Sequence, residues 1–257
     1  MVNITIYGDG YNKSIVTGNK TVKMEFTVLG NGFMAKYIGF RNTAGPLKEQ
    51  AVALQVYADH VAFLNCLMEG YQDTLYANLG KQFYRDCQIT GTIDFVFDDA
   101  RAVFQNCNIY LRKPLKNQQN VVTAQGKEKY RENTGFVLQN CNFLADDTLK
   151  PENGRFKSYL GRPWKIYSTT IVMESYIGDL ISSRGWLEWN GTRGLNTLFY
   201  AEFNNRGPGS DTSGIVRWPG YKVIKREEAR RYIVGPFLQG ETWLTNLGIP
   251  VHSGLFN

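Results

Sequence analysis

Four side chains at near-regular intervals stand out as a group able to do chemistry together. Gln50, Gln72 and Asp94 are each 22 residues apart, and Asp73 lies 21 residues before Asp94. Were that interval one repeat of a stacked structure, the four would share one face of successive layers. Stacked strands lie about 4.8 Å apart, so the two carboxylates would stand roughly 5 Å from one another. That separation suits a nucleophile working with an acid/base partner in hydrolysis. Amides beside such a pair serve as donors to a developing oxyanion. The bland alternative is a set of solvated surface residues, which any layered structure also brings into register.

A second pattern supports the layered reading. The cysteines occur in like phrases: Phe63-Leu64-Asn65-Cys66, Tyr84-Arg85-Asp86-Cys87, Phe104-Gln105-Asn106-Cys107 and Leu138-Gln139-Asn140-Cys141, with Phe40-Arg41-Asn42-Thr43 as a fifth phrase lacking the cysteine. The steps between the Asn or Asp positions are 23, 21, 20 and 34 residues. Val103-Phe104, Ile109-Tyr110-Leu111 and Gly135-Phe136-Val137-Leu138 are short runs of β-formers bounded by Asn, Gly and Asp. A period this short is too small for a propeller blade or a helix pair and fits a coil of three short strands. It predicts a parallel β-helix, with the 34-residue step as one coil carrying an inserted loop. The recurring Asn or Asp belongs at a turn, where it tolerates left-handed backbone and bonds to its counterpart in the next coil. A β-sandwich would show hairpin signals between the strands, and few are present.

Composition narrows the partners. The 257 residues contain no linker or change of composition, so one domain over residues 1–257 is expected. Aromatics make up 14%, which suits either a β-rich core or sugar rings packed on aromatic faces. A net charge of +6 favours a polyanionic partner. The one dense basic stretch, Lys225 to Arg231, alternates in sign and reads as a short solvated helix, so nucleic acid is not the expected polyanion. No apolar run reaches membrane-span length. With two His and no Cys-x-x-Cys pair, no metal site is expected. The chain opens without a signal peptide. Its sequons at Asn3, Asn12, Asn19 and Asn190 nevertheless point to a secreted glycoprotein. The four cysteines allow three pairings.

Longer segments occur in a telling order: Gln50-Ala51-Val52-Ala53-Leu54, Gln72-Asp73-Thr74-Leu75, Gly91-Thr92-Ile93-Asp94-Phe95-Val96-Phe97 and Leu160-Gly161-Arg162-Pro163-Trp164. Phe40-Arg41-Asn42-Thr43-Ala44-Gly45-Pro46, Val122-Thr123-Ala124-Gln125-Gly126 and Thr212-Ser213-Gly214 support them. From about residue 3 to residue 244 the chain resembles the plant-type pectin methylesterases (pectinesterases). The resemblance implies an all-β fold, a right-handed parallel β-helix of the pectin lyase-like kind, in agreement with the repeat. It implies a secreted, monomeric carboxylic ester hydrolase of the cell wall, working without metal or organic cofactor. The reaction would turn galacturonate methyl esters of pectin into methanol and demethylated pectin. Asp94 matches the nucleophile and Asp73 the general acid that then acts as base. Gln72 matches the transition-state stabiliser, Gln50 a substrate contact, Arg162 the partner of the nucleophile, and Trp164 the ring on which a sugar packs. Cys107 and Cys141 match the recurrent disulfide, whereas Cys66 and Cys87 stay unassigned. A proteinaceous pectinesterase inhibitor is a further partner implied by the resemblance.

Three departures qualify the match. Asp98 follows Phe97 where the family has Gly, and with Asp99 it adds negative charge expected to raise the pKa values of the catalytic pair. Gln55 stands where the family usually has Arg. The N-terminal Gly-x-Tyr-x-Glu segment is missing, and the stretch around Thr21 to Gly30, which in the family supplies a substrate-contacting Thr, looks shortened. These departures favour an alternative reading, a catalytically impaired pectin-binding wall protein on the same fold. A pectate lyase or polygalacturonase would need a calcium-binding acidic cluster or another carboxylate arrangement, and neither is seen.

Overall fold

A computed structural model of the chain describes residues 3–21, 26–152 and 154–256. Residues 22–25, within the stretch read as shortened, lie outside the described residues. Among the described residues the strands form three sheets of nine, seven and six strands, and every pairing between them is parallel. From Thr5 to Ile177 the coils contribute one strand to each sheet in turn, and Phe199–Phe203 and Tyr221–Val223 extend the first sheet alone. Strands Lys81–Arg85, Gln88–Gly91 and Val96–Asp98 make one coil, and Arg101–Gln105, Asn108–Leu111 and Asn120–Gln125 make the next. The result is a right-handed parallel β-helix, the hand expected where L-residue strands are joined by parallel crossovers.

The interior is a stack of in-register apolar rows. In the third sheet, Leu54, Leu75, Val96 and Thr123 align along the buried face. Their neighbours Gln55, Tyr76, Phe97 and Ala124 align along the outer face. The two-residue period of a strand therefore builds the core from one set and a surface groove from the other. In the first sheet, Phe63, Tyr84 and Phe104 stack at 5.1 and 4.5 Å with nearly parallel rings. The outer face of that sheet is buried too. Ala62, Phe83, Val103 and Val137 lie under Val234, Phe237, Leu238 and Trp243 of the C-terminal segment. The charged run read as a solvated helix forms the helix Arg226–Ala229, and Ala229 is packed into this layer.

The predicted turn ladder is present, with one residue misplaced. Asn65, Asp86, Asn106 and Asn140 all adopt φ between 51° and 58°, the left-handed region that Asn and Asp tolerate. The Asn140 amide donates to the Asn106 carbonyl in the coil below at 2.9 Å. Asn42 is not a rung. It lies within the strand Gly39–Asn42, and Tyr37 (φ 57°) takes the turn position, its amide bonded to the carbonyl of Leu64. The side chain of Asn42 instead donates to the carbonyl of Val52, fastening the segment that begins at Gln50. The likeness of its phrase to the others came from strand composition, not from register.

Cys66, Cys87, Cys107 and Cys141 form a ladder one step behind the asparagines, fully buried and all free thiols. The Cys107–Cys141 disulfide implied by resemblance is thus not formed in this structure. Each sulfur turns toward a main-chain carbonyl of the preceding coil, Cys107 toward Tyr84 at 3.4 Å and Cys141 toward Phe104 at 3.3 Å. The pairing stands as a proposal, made reachable by in-register stacking.

Candidate active site

Register brings the four candidate residues onto adjacent coils. Gln50 and Gln72 face one another across a parallel bridge. The amide of Asp73 donates to the carbonyl of Ile93 at 3.0 Å, and Leu75 pairs with Val96, which sets Asp73 opposite Asp94. Both acids adopt left-handed backbone, φ 62° and 50°, at the same bend of successive coils. Both bends precede strands of the third sheet, Leu75–Leu79 and Val96–Asp98. The hydroxyl of Thr74 bonds to the carbonyls of Tyr71 and Thr90 and fixes the lower bend.

Arg162 comes from two coils further along. It follows the strand Ser158–Gly161, and its amide bonds to the carbonyl of Thr123. Its guanidinium grips Asp94 with two bonds, Nε to Oδ1 at 2.8 Å and Nη2 to Oδ2 at 2.5 Å. The small side chain of Ala124 occupies the outer row between them. The back of the guanidinium lies over the Trp189 ring at 4.3 Å, a cation–π contact that holds it in plane. Gln50, Gln72, Asp73, Asp94, Phe97, Arg162, Trp164 and Trp189 line one groove of about 380 Å³.

The two acids sit in different electrostatic surroundings. Asp94 is 6% exposed, and burial raises its carboxyl, but the Arg162 bonds and charge pull it back toward ionisation. Asp73 is pushed up to about 8, first by burial and then by the charge of Asp94, against a weaker opposing pull from Arg162. The geometry therefore sets one carboxyl whose ionised form the Arg162 grip favours beside a second, raised to about 8, that keeps its proton at neutral pH. That is the division of labour required of a nucleophile and a general acid.

The Asp73 shift carries a stability consequence. Its folded pKa lies above the unfolded value of 3.8, so the proton it holds stabilises the fold fully below about pH 4. That contribution is lost as the pH rises through about 8. Asp73→Asn escapes the loss. Its thermal midpoint should match the wild type near pH 4 and exceed it by about 5–10 °C at pH 8.5, for roughly 2–3 kcal/mol regained. A midpoint difference that does not change with pH, measured by calorimetry, would contradict this.

Asp98 does not act as expected from its position in the sequence. The groups acting on Asp73 are burial, Asp94 and Arg162, and those on Asp94 are burial and Arg162; Asp98 is among neither set. Its carboxylate accepts from the Asn78 amide and the Tyr76 hydroxyl on the neighbouring strand. Asp99 turns away to Thr134 and Gln125, at 2.5 and 2.9 Å. Gln55 lies on the outer row and accepts a bond from Thr27 in the coil before it.

Sequence reasoning missed Trp189 and gave no role to Phe97 or Ala124. Phe97 follows from alternation, since it stands three residues after Asp94 on the outer row. Trp189 carried no such signal, because it lies on an irregular segment whose path repeats nothing.

The Pectinesterase family profile matches residues 1–241. The chain is 54% identical to "Probable pectinesterase/pectinesterase inhibitor 13" of Arabidopsis thaliana, over 99% of this chain and 43% of the relative. It is 48% identical to "Pectinesterase/pectinesterase inhibitor" of Ficus pumila var. awkeotsang, over 99% of this chain and 48% of the relative. The chain thus spans less than half the length of these curated relatives. Among solved structures it superposes on the pectin methylesterase from carrot with a TM-score of 0.97 and 43% identity, covering 98% of this chain and 82% of that one. The pectin methylesterase from Aspergillus niger gives 0.81 and 30%, covering 95% and 80%.

Proposed function

The chain belongs to the pectinesterase family, and from that premise we propose that it hydrolyses methyl esters of galacturonate in pectin, with Asp94 as nucleophile and Asp73 as general acid/base. The observation that carries this reading is the ionisable pair itself. Arg162 aims one carboxylate into an aromatic-walled groove, and the other keeps its proton at neutral pH.

The reaction follows from those charges. An Asp94 oxygen attacks the ester carbonyl carbon, and negative charge passes to the carbonyl oxygen. The amides of Gln72 and Gln50, on the same groove wall, donate to that oxyanion. As the tetrahedral intermediate collapses, the bond to the methoxy oxygen breaks and Asp73 supplies its proton, releasing methanol. Asp73, now ionised, takes a proton from water, which attacks the acyl carbon. Asp94 leaves as a carboxylate, the galacturonate is freed as its acid, and Asp73 is again protonated. The basic chain, net charge +6, suits a polyanionic polymer, and Trp164 with Phe97 offers an apolar wall for a sugar ring.

Secretion to the cell wall, action as a monomer and control by a proteinaceous inhibitor belong to the same proposal. The names of the relatives, which couple a pectinesterase with a pectinesterase inhibitor, support the last. Among the described residues no helix is long and apolar enough to cross a membrane.

The purified chain should release methanol from highly methylated pectin. Silence on that substrate at pH 7, from folded protein, would sink the hydrolytic reading. The alternative of an impaired, pectin-binding relative, which drew on Asp98 and on the shortened N-terminal stretch, predicts binding of pectin without release of methanol.

A further inference from the structure

Asp98 occupies a place that its chemistry does not explain as packing. Its φ of 86° is left-handed backbone beyond the ordinary reach of an L side chain, a conformation that glycine adopts without strain. A residue that carries this cost and still presents a carboxylate invites the question of what the carboxylate faces. A Cβ at Gly126 would come within 3.0 Å of both the Asp98 Oδ1 and the Trp164 ring. The acid and the aromatic wall of the groove therefore converge on one bare glycine. On the same strand Phe97 meets Trp164 edge to face at 6.4 Å. Asn78 and Tyr76 hold the carboxylate outward on this shoulder.

The charges around it leave an excess of negative sign. Lys165 lies over the Trp164 ring at 5.4 Å but pairs with Glu128 at 3.6 Å. Asp99, the other acid acting on Asp98, is bound to Thr134 and Gln125. Against Asp98, Asp99, Glu128 and Glu132 this shoulder sets Lys165, Lys127 and Lys129. A sugar ring resting against Trp164 brings its C6 group toward this field. If that group is a methyl ester it carries no charge, and if it is a free uronate it is repelled.

We propose that Asp98 is a specificity-determining residue, whose carboxylate beside the Trp164 wall disfavours an ionised uronate at the neighbouring sugar position and so directs the protein to esterified stretches of the polymer. This rests on the function proposed above. The discrimination is pH-dependent in a stated direction. Burial, the leading cause, raises Asp98 to about 6, with Asp99 adding to the rise and Asn78, Tyr76 and Lys165 opposing it. Uronate groups ionise well below that pH. Below pH 6 Asp98 gains its proton and the repulsion fades, while the ligand stays charged.

The test measures binding of two defined oligogalacturonides, one fully methyl-esterified and one fully ionised, to the wild type, Asp98→Asn and Asp98→Gly. Asp98→Asn keeps the shape and removes the charge; Asp98→Gly removes both the charge and the strained side chain. At pH 7.5 both variants should shift the affinity ratio toward the ionised oligomer by about 3-fold to 10-fold, the range for one screened charge at groove distances. At pH 5 the wild type should approach the variants. If one variant fails to fold the other carries the test, because Asp73, at about 8 in the same groove, by itself moves the wild-type ratio as the pH falls. A ratio that substitution of Asp98 does not move at pH 7.5 overturns the proposal. Methanol release from esterified pectin, assayed in parallel, separates the two readings. Release with an unmoved ratio overturns only the role of Asp98, whereas a moved ratio without release overturns only the hydrolysis. Failure to bind either oligomer overturns both.

Discussion

Asp94→Asn should slow methanol release from esterified pectin by about 10⁴-fold or more while leaving the β-helix intact. The side chain keeps its size and its place at the left-handed bend, where Asn is as well tolerated as Asp. What it loses is the anionic oxygen, and a neutral amide does not add to an ester carbonyl. The four groups around it remain: Asp73 can still donate a proton, Gln50 and Gln72 can still bond an oxyanion, and Trp164 still walls the groove. The residual rate measures those groups without the covalent step. Binding of an esterified oligomer should persist, because the aromatic wall and the amides are unchanged. The checks are a methanol assay, a circular dichroism spectrum and a binding isotherm on the same preparation. Turnover near the wild-type rate would mean that another group makes the bond to carbon, and the roles of Asp94 and Asp73 would both have to be reassigned.

Arg162→Met should cost about 10²–10³-fold in rate near pH 6, with part of the loss regained as the pH rises. The guanidinium supplies the two bonds and the charge that oppose the burial of Asp94. Without them the carboxyl rises further, and the fraction ionised at pH 6 collapses. Raising the pH restores the anion until Asp73, with its pKa about 8, begins to lose its own proton. The rate profile should therefore narrow from its acid side. Stability should fall as well, by about 3–5 kcal/mol above pH 7, because a buried charge has lost its partner. Asp94 has a raised folded pKa in the variant, so that deficit shrinks as the pH falls and is gone only below about pH 4, where the group is protonated in both folded and unfolded chains. Arg162→Lys, which keeps the charge but not the two-pronged grip, should fall between the two. A rate loss of the same factor at every pH would show that Arg162 acts on something other than the ionisation of Asp94.

These effects depend on a site that the fold assembles from distant sequence. Asp94 and Arg162 are 68 positions apart in the chain and bonded in space. The coil repeat accounts for this, since each turn of the β-helix advances by one strand spacing and returns the chain to the same wall. Residues on one wall of neighbouring coils become neighbours whatever the length of the loops between them.

Much of that geometry was legible in the order of residues. The intervals between Gln50, Gln72, Asp73 and Asp94 specify one coil each, because a strand that skipped a residue would turn its core row to solvent. The phrases ending in Asn65, Asp86, Asn106 and Asn140 marked a real turn, because the left-handed bend admits few residue types. Asn42 shows where such reading fails. Its phrase has the right residue types, but Tyr37 took the left-handed position, supported by a main-chain bond that composition does not reveal. The coil repeat and the shared face of Gln50, Gln72, Asp73 and Asp94 could be read from spacing, since strand periodicity and coil length are local properties of the chain, whereas Arg162 as partner of Asp94 was implied by the resemblance of Leu160-Gly161-Arg162-Pro163-Trp164. What came from the tertiary structure is that Trp189 braces Arg162, that Asp98 lies beside the Trp164 wall, and that burial next to Asp94 raises Asp73, which supports the acid role the resemblance implied for it. Those three depend on which side chains meet across coils and how deeply each charge is buried, and neither is written in spacing along the chain.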